Sequence, residues 1–323
     1  MKSAKLFYLT FFFLTSFVSS SVFAESATFE RRQQETIKFS SGDSFCLVNV
    51  HGPVRISAWD REECEIVAVK TASGDLTAEE ADRWFEKVEV EVKKVAGGVE
   101  VATKYPDKFF DFWPDFDEDE KPNVFDEELG VTGTWFARLV SFLSKLPEAF
   151  SELVGEKYPV EVAYEVKLPG LADVDITNVN GEIEISGLKG RLKTTVVNGT
   201  IRLTGLDGRL EATAVSGEII ADNPGGSVAL NTVNGSLSVN VSEVERLKTV
   251  ECNTVNGNIT FRLPANSQAK LNLSALSGGV EINEAFSFKG EIGRRTVSGE
   301  LTGTGGPHIE ANALNGSIEI KPL

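Results

Sequence analysis

The chain has 323 residues, with 48 acidic against 32 basic side chains and a formal net charge of −16. Such a field repels nucleic acid and anionic lipid surfaces. Two histidines, His51 and His308, stand in no metal or triad arrangement.

The N-terminus, MKSAKLFYLTFFFLTSFVSSSVFA, has Lys2 and Lys5, an apolar run from Leu6 to Val18, and small residues up to Ala24. This is the pattern of a secretory leader cut after Ala24. The apolar run is too short and Ser/Thr-dotted for a stable transmembrane anchor. Loss of Lys2 and Lys5 would take the net charge from −16 to −18. The expected address is export, to the periplasm or the outer surface of a bacterium. The rest divides into a β region with a short helix (25–104), an insert (105–158) and a repeat region (159–323).

From Phe45, FCLVNVHGPVRISAWDREECEIVAVK alternates apolar and polar residues, and His51-Gly52 reads as a turn. Cys46 and Cys64 stand 18 residues apart, with parity that turns both inward. Neighbouring strands lie about 4.8 Å apart, so a disulfide between them is expected in an oxidising compartment. Cys252 reads as a quietly buried thiol. LTAEEADRW opens with a capping box, Thr77 with Glu80, and predicts a short helix over 78–87. Val88 to Val92, then Ala96-Gly97-Gly98, then Val99 and Val101 predict a hairpin.

The insert breaks this pattern. Its first part interleaves Phe109, Phe110, Phe112, Trp113 and Phe116 with acids and prolines, the composition of a segment that orders on a partner. Those aromatic residues, with Trp135, are the candidate partner-binding residues. Asp115, Asp117 and Asp119 follow calcium-loop spacing, but Glu120 replaces the turn glycine and Pro122 intrudes. Loose Ca²⁺ association is the most this predicts, and no other cofactor is expected. Phe136, Leu139, Val140, Leu143, Leu146, Phe150 and Leu153 form a helical stripe over 135–154. It is expected either to cover the end of the sheet or to meet a partner.

After the insert, glycine recurs at 181, 190, 199, 208, 217, 226 and 235, a nine-residue period. Two residues after each stands an aliphatic side chain: Ile183, Leu192, Ile201, Leu210, Ile219, Val228 or Leu237. Asn-Gly between apolar alternations is a strong hairpin signal. A two-residue hairpin would nevertheless set Val179 against Glu182 and Asn178 against Ile183, mixing apolar with polar at each pair. Reading the dipeptide as a polar corner keeps Val179 and Ile183 both inward. A strand has a side-chain period of two, so the apolar offsets within a unit require a bend.

The expected fold is therefore all-β, a β-solenoid with coils of about 18 residues, with an antiparallel meander as the alternative. The corner is expected at Asn180-Gly181, Asn198-Gly199, Ser216-Gly217, Asn234-Gly235, Asn256-Gly257, Ser277-Gly278, Ser298-Gly299 and Asn315-Gly316. Stacked Asn and Ser would form a side-chain ladder, and glycine would take a positive φ.

The run VAYEVKLPGLADVDITNVNGEIEISGLKGRL, the repeated TVNG and VSGE, the ending GGPHIEANALNGSIEIKPL and the entry VNVHGPVRISAWD resemble the bacterial secreted putative-adhesin family of Gly-rich β-strand repeats. The resemblance covers most of 44–104 and 158–323. It implies an exported protein without a known catalytic site. The insert departs from the family's pattern.

No nucleophile elbow, phosphate loop or zinc-protease motif appears. Glu182, Glu184 and Glu218 share an outer face in the coil register, which keeps a polysaccharide-active enzyme as one alternative. A self-assembling solenoid is another. The reading taken forward is a non-catalytic binding or scaffold protein of the envelope, with an envelope protein or glycan as partner.

Overall fold

The computed structural model describes residues 28–106, 158–302 and 305–323. The leader at 1–24, the candidates Phe109, Phe110, Phe112, Trp113, Phe116 and Trp135, the acids Asp115, Asp117 and Asp119, and the helix expected at 135–154 lie outside the described residues.

The N-terminal part runs β1 (Thr28–Lys38), β2 (Ser44–His51), β3 (Val54–Trp59), β4 (Glu63–Ser73), helix α1 (Ala78–Lys87), β5 (Glu89–Val95) and β6 (Gly98–Lys104). Beyond the insert come β7 (Val160–Pro169) and β8 (Asp173–Asn180). Short and long strands then alternate: β9 (Ile183–Ser186), β10 (Lys189–Asn198), β11 (Ile201–Thr204), β12 (Asp207–Ser216), β13 (Ile219–Asp222) and β14 (Gly225–Asn234). The same rhythm continues through β15 (Leu237–Asn240), β16 (Leu247–Asn256) and β17 (Ile259–Leu263). The last part holds β18 (Ala269–Ala275), β19 (Val280–Ile282), β20 (Phe288–Ile292), β21 (Thr296–Leu301), β22 (His308–Asn315) and β23 (Ile318–Pro322).

These strands form two sheets. Sheet A has the order β1-β4-β7-β3-β9-β11-β13-β15-β17-β23-β19, and sheet B the order β20-β21-β18-β22-β16-β14-β12-β10-β8-β2-β6-β5. Each coil gives its long strand to sheet B and its short one to sheet A. Within the regular part the pairing is parallel, and residues 18 apart meet, as Lys189 with Asp207 and Ile201 with Ile219. Ile183, Ile201, Ile219 and Leu237 from sheet A and Leu192, Leu210 and Val228 from sheet B are buried in one continuous core. Asn180-Gly181 carries the chain from β8 in one sheet to β9 in the other, so the dipeptide is a corner rather than a hairpin tip.

At these corners the coils approach backbone to backbone. A Cβ on Gly217 would run into the carbonyl oxygen of Gly199, and one on Gly235 into that of Gly217. Gly217 also has a φ of +155°, whereas Gly235 has no left-handed φ, so close approach rather than conformation is what the column shares. The amide ladder forms in segments: Asn198 Nδ2 donates to Asn180 Oδ1 at 2.9 Å, Asn256 to Asn234 at 2.8 Å and Asn315 to Asn256 at 2.9 Å.

One expectation about the corners is corrected: Ser298-Gly299 is not a corner. It lies within β21, which runs antiparallel between β18 and β20, with Gly299 opposite Leu271 and Gly290. The stack also leaves chain order: Asn315 follows Asn256 at the corner, and Gly278 packs on Gly316. The C-terminal pair β22 and β23 thus slots between the coil of β16 and β17 and the coil of β18 and β19.

Helix α1 forms where the capping box predicts it. Thr77 Oγ1 accepts from the Glu80 amide, and Glu80 Oε2 accepts from the Thr77 amide at 2.8 Å. Its buried residues, Ala81 and Phe85, join the core, and the helix packs on β1 and β4 at the first end of the stack. The expected hairpin is β5 with β6, antiparallel.

β6 pairs with β2 and β7 with β3, so Tyr105 and Tyr158 flank the corner that corresponds to His51-Gly52 in the next coil. The Tyr105 and Tyr158 rings lie 4.9 Å apart, and Trp84 of α1 stands edge-on to Tyr158. Beneath them a buried polar network joins the sheets. Thr103 Oγ1 donates to Asn49 Oδ1 at 2.8 Å and lies 2.6 Å from the Tyr164 hydroxyl. Asn49 Nδ2 lies 3.1 Å from the Val162 carbonyl, which accepts from it.

Candidate functional site

The outer faces of the two sheets are built from the polar positions of each strand. On sheet A, four charged residues stand side by side in register: Glu165 on β7, Arg55 on β3, Glu184 on β9 and Arg202 on β11. The sign alternates at every strand. Two residues further along the same strands runs a second row, Lys167, Ser57, Ser186 and Thr204. Side chains two apart share a face of a strand, so the two rows lie next to each other. Between them is a groove of about 470 Å³.

Ion pairs hold the groove's side chains in place. Arg55 Nε donates to Glu184 Oε2 at 2.7 Å, and Lys167 Nζ donates to Glu65 Oε1 at 2.9 Å. Arg202 Nη2 stands 4.0 Å from Glu182 Oε1. The hydrogen bond that Arg55 donates to Glu184 raises the pKa of Arg55 above its ordinary value, and the bond from Lys167 lowers that of Glu65. These groups are partly exposed, so each pair sets geometry more than stability.

Trp59 stands on β3 two residues beyond the second row, in register with Pro169 and outside the groove's lining. Its Nε1 donates to the Glu63 carbonyl at 2.8 Å, which orients the indole. Lys167 Nζ lies 5.7 Å from the ring centroid and Arg61 Cζ 5.0 Å from it, both within cation–π range.

Sheet B presents a different outer face. Thr177, Thr195, Thr213, Asn231, Asn253 and Asn312 stand in one register column. The amides interlock: Asn253 Nδ2 donates to Asn231 Oδ1 and Asn312 Nδ2 to Asn253 Oδ1, each at 3.0 Å. Beside them Glu251 faces Glu310 directly. Burial first, then Glu251, raises the pKa of Glu310, while the Asn312 amide and His308 lower it.

The expected Cys46–Cys64 disulfide is corrected. Cys46 lies on β2 in sheet B, on the outer face between Glu100 and Asp175 in register. Cys64 is buried on the inner side of β4 in sheet A. After Trp59 the chain reverses, and β4 runs antiparallel to β7. A residue 18 positions on is therefore not one coil higher. Cys46, Cys64 and Cys252 are all free thiols. Burial, with Asp175 and Glu100 adding to it, pushes the Cys46 thiol up to about 12, and burial alone pushes Cys64 to about 12. Both stay protonated at neutral pH.

Of the acids that kept an enzyme in view, Glu184 is bound to Arg55, and Glu182 stands by Arg202. Among the described residues, no group of three or more His, Cys, Asp or Glu side chains is placed to hold a metal ion. The groove itself escaped the sequence reading, although a signal was present. RIS at 55–57, EIS at 184–186 and RLT at 202–204 repeat a charged residue and a hydroxyl at fixed offsets. The cross-strand partner Glu165 could not be placed without knowing that β7 joins β3.

Residues 165–321 match the family model described as Toastrack DUF4097. No curated protein matches the chain. Among solved structures, it is similar to a "putative cell adhesion protein" from Clostridium sporogenes, at 13% identity and a TM-score of 0.37, covering 91% of this chain and 100% of that one. A "putative adhesin" from Bacteroides fragilis matches at 11% identity and a TM-score of 0.40, covering 91% and 97%. A "putative lipid binding protein" from Parabacteroides distasonis matches at 14% and 0.40, covering 90% and 96%.

Proposed function

We propose, from the match of residues 165–321 to the Toastrack DUF4097 family model, that the chain is an exported, non-catalytic binding or scaffold protein of the bacterial cell envelope. The observation that carries this reading is the alternating row Glu165, Arg55, Glu184 and Arg202 across four neighbouring strands. Catalytic groups converge on one reacting atom. These groups are instead spread along the stack at one strand spacing, about 4.8 Å, which suits recognition of an extended ligand. The leader-like residues 1–24 support export. The aromatic residues Phe109, Phe110, Phe112, Trp113, Phe116 and Trp135 belong to the proposal as a second contact element.

The test is co-sedimentation of purified protein with a cell-envelope preparation. Wild type is expected in the pellet, and Arg55→Ala/Lys167→Ala/Arg202→Ala in the supernatant. Equal pelleting of both would refute the lateral-face reading. Trp113→Ala with Phe116→Ala tests the insert in the same assay.

A second reading, self-association, rests on the far end of the stack. There β19 and β20 are edge strands, Ile292 is 66% exposed, and Val280 and Ile282 are only partly covered. Sedimentation velocity decides it: concentration-dependent assembly that Ile292→Lys abolishes would favour a self-assembling scaffold.

A further inference from the structure

We propose that the groove on sheet A takes a neutral, linear polysaccharide chain lying across the strands, with Trp59 as its stacking platform. This rests on the lateral-face reading and names the ligand class. The first argument is chemical. A sugar hydroxyl both donates and accepts. Arg55 and Arg202 offer only donors, Glu165 and Glu184 only acceptors, and Ser57 and Ser186 both. A ligand that must both give and take hydrogen bonds at each step fits this array.

The second argument is electrostatic. The carboxylates of Glu65, Glu165 and Glu184 sit among the cations, within a chain of net charge −16. A polyanion would meet like charge at every second strand, and a polycation would meet Arg55 and Arg202. An uncharged chain meets neither repulsion.

Geometry supplies the third. Rungs repeat at about 4.8 Å, close to the length of one pyranose unit in an extended β-linked chain, so successive rings meet successive rungs. The volume of about 470 Å³ lies in the range of ligand sites, and the groove is partly open to solvent. Trp59 lies on the outer face of β3, two residues beyond Ser57 and just outside the groove's lining, beside the Lys167 that lines it, with its indole held by the Glu63 carbonyl. Sugar rings present an apolar C–H face that stacks on such a ring.

Isothermal titration of the full chain with cellohexaose and chitohexaose, beside hexagalacturonate as anionic control, tests the proposal. At least one neutral hexasaccharide is expected to bind. Trp59→Ala and Arg55→Ala should each weaken it by about tenfold or more, and Trp59→Phe by less. Lys193→Ala, on sheet B, should leave it unchanged. Melting curves check that each variant is folded. Failure of both neutral probes, equal binding by Trp59→Ala, or tighter binding of hexagalacturonate would overturn the proposal. If the saccharides fail while envelope pelleting still depends on Arg55, Lys167 and Arg202, the ligand class falls and the lateral-face reading stands. If both fail, the reading falls with it.

Discussion

The coils from β8 to β17 and the strands from β18 to β23 share one core and are assembled by different rules. In the first region each strand pairs in parallel with the one a coil before it, and chain order is stack order. In the second, the last strands in the chain fill a slot in the stack, and an antiparallel pair closes one edge. The contrast separates what a repeat specifies locally from what is left to tertiary pairing. A constant period repeats the same neighbour at each step, whereas irregular spacing leaves the neighbour to be chosen by burial.

The largest expected effect tests the corner of the regular region. Gly217→Val places a side chain where the Gly199 carbonyl lies, against backbone that cannot swing aside. A loss of more than about 4 kcal/mol is expected, read as failure to fold or early denaturant unfolding. Gly42→Ala, at a positive φ with open space around it, should cost about 1 kcal/mol. Similar costs at the two sites would show that close approach does not govern the corner.

The next test concerns the inner column. Ile201→Asp buries a carboxylate with no partner, at a cost of several kcal/mol. Thr200→Asn, one position earlier and partly exposed, should stay within about 0.5 kcal/mol. Equal melting temperatures would reverse the inward assignment.

A third pair probes the inserted strands. Ile318 on β23 is fully buried between β17 and β19, and Ile282 on β19 is half-buried at the edge. Ile318→Ala should cost about 3 kcal/mol and Ile282→Ala about 1 kcal/mol. The reverse ranking in urea titrations would place the C-terminal pair at the end of the stack instead of inside it.

The smallest effect is electrostatic. Glu310 is 8% exposed and faces Glu251 in register, and burial with that like charge raises its pKa. Between its unfolded value of about 4.3 and its higher folded value, the native state binds more protons than the unfolded one. Stability therefore falls as pH rises through that window and keeps the deficit above it. Glu310→Gln should melt higher than wild type at pH 7, by about 0.5 kcal/mol in stability, with the gain gone near pH 3. An equal gain at both values would remove the charge from the explanation.

Much of the fold was legible in the residues because the inward columns are chemically uniform. Ile183, Ile201, Ile219 and Leu237 read as core before any strand is paired, and Thr77 with Glu80 marks α1. The candidate groove was only half legible. Arg55, Glu184 and Arg202 occupy equivalent positions in their units, but Glu165 and Lys167 come from a strand whose neighbour is chosen across the insert. Cys46 and Cys64 misled because a spacing of 18 means one coil only where the chain keeps coiling, and it reverses at β4.

What the sequence by itself determined is the repeat: which side chains face inward, where glycine turns each coil, and where the helix begins. These follow from local sterics and from the side-chain period of a strand, which need no knowledge of a partner. The tertiary structure decided which strands lie side by side at the two ends. Ser298-Gly299 and Asn315-Gly316 look alike in the chain, yet the first lies in an antiparallel strand and the second in a corner. The choice turns on which arrangement covers the apolar faces of β16, β17 and β18, and burial of that kind is a property of the whole stack rather than of any one segment.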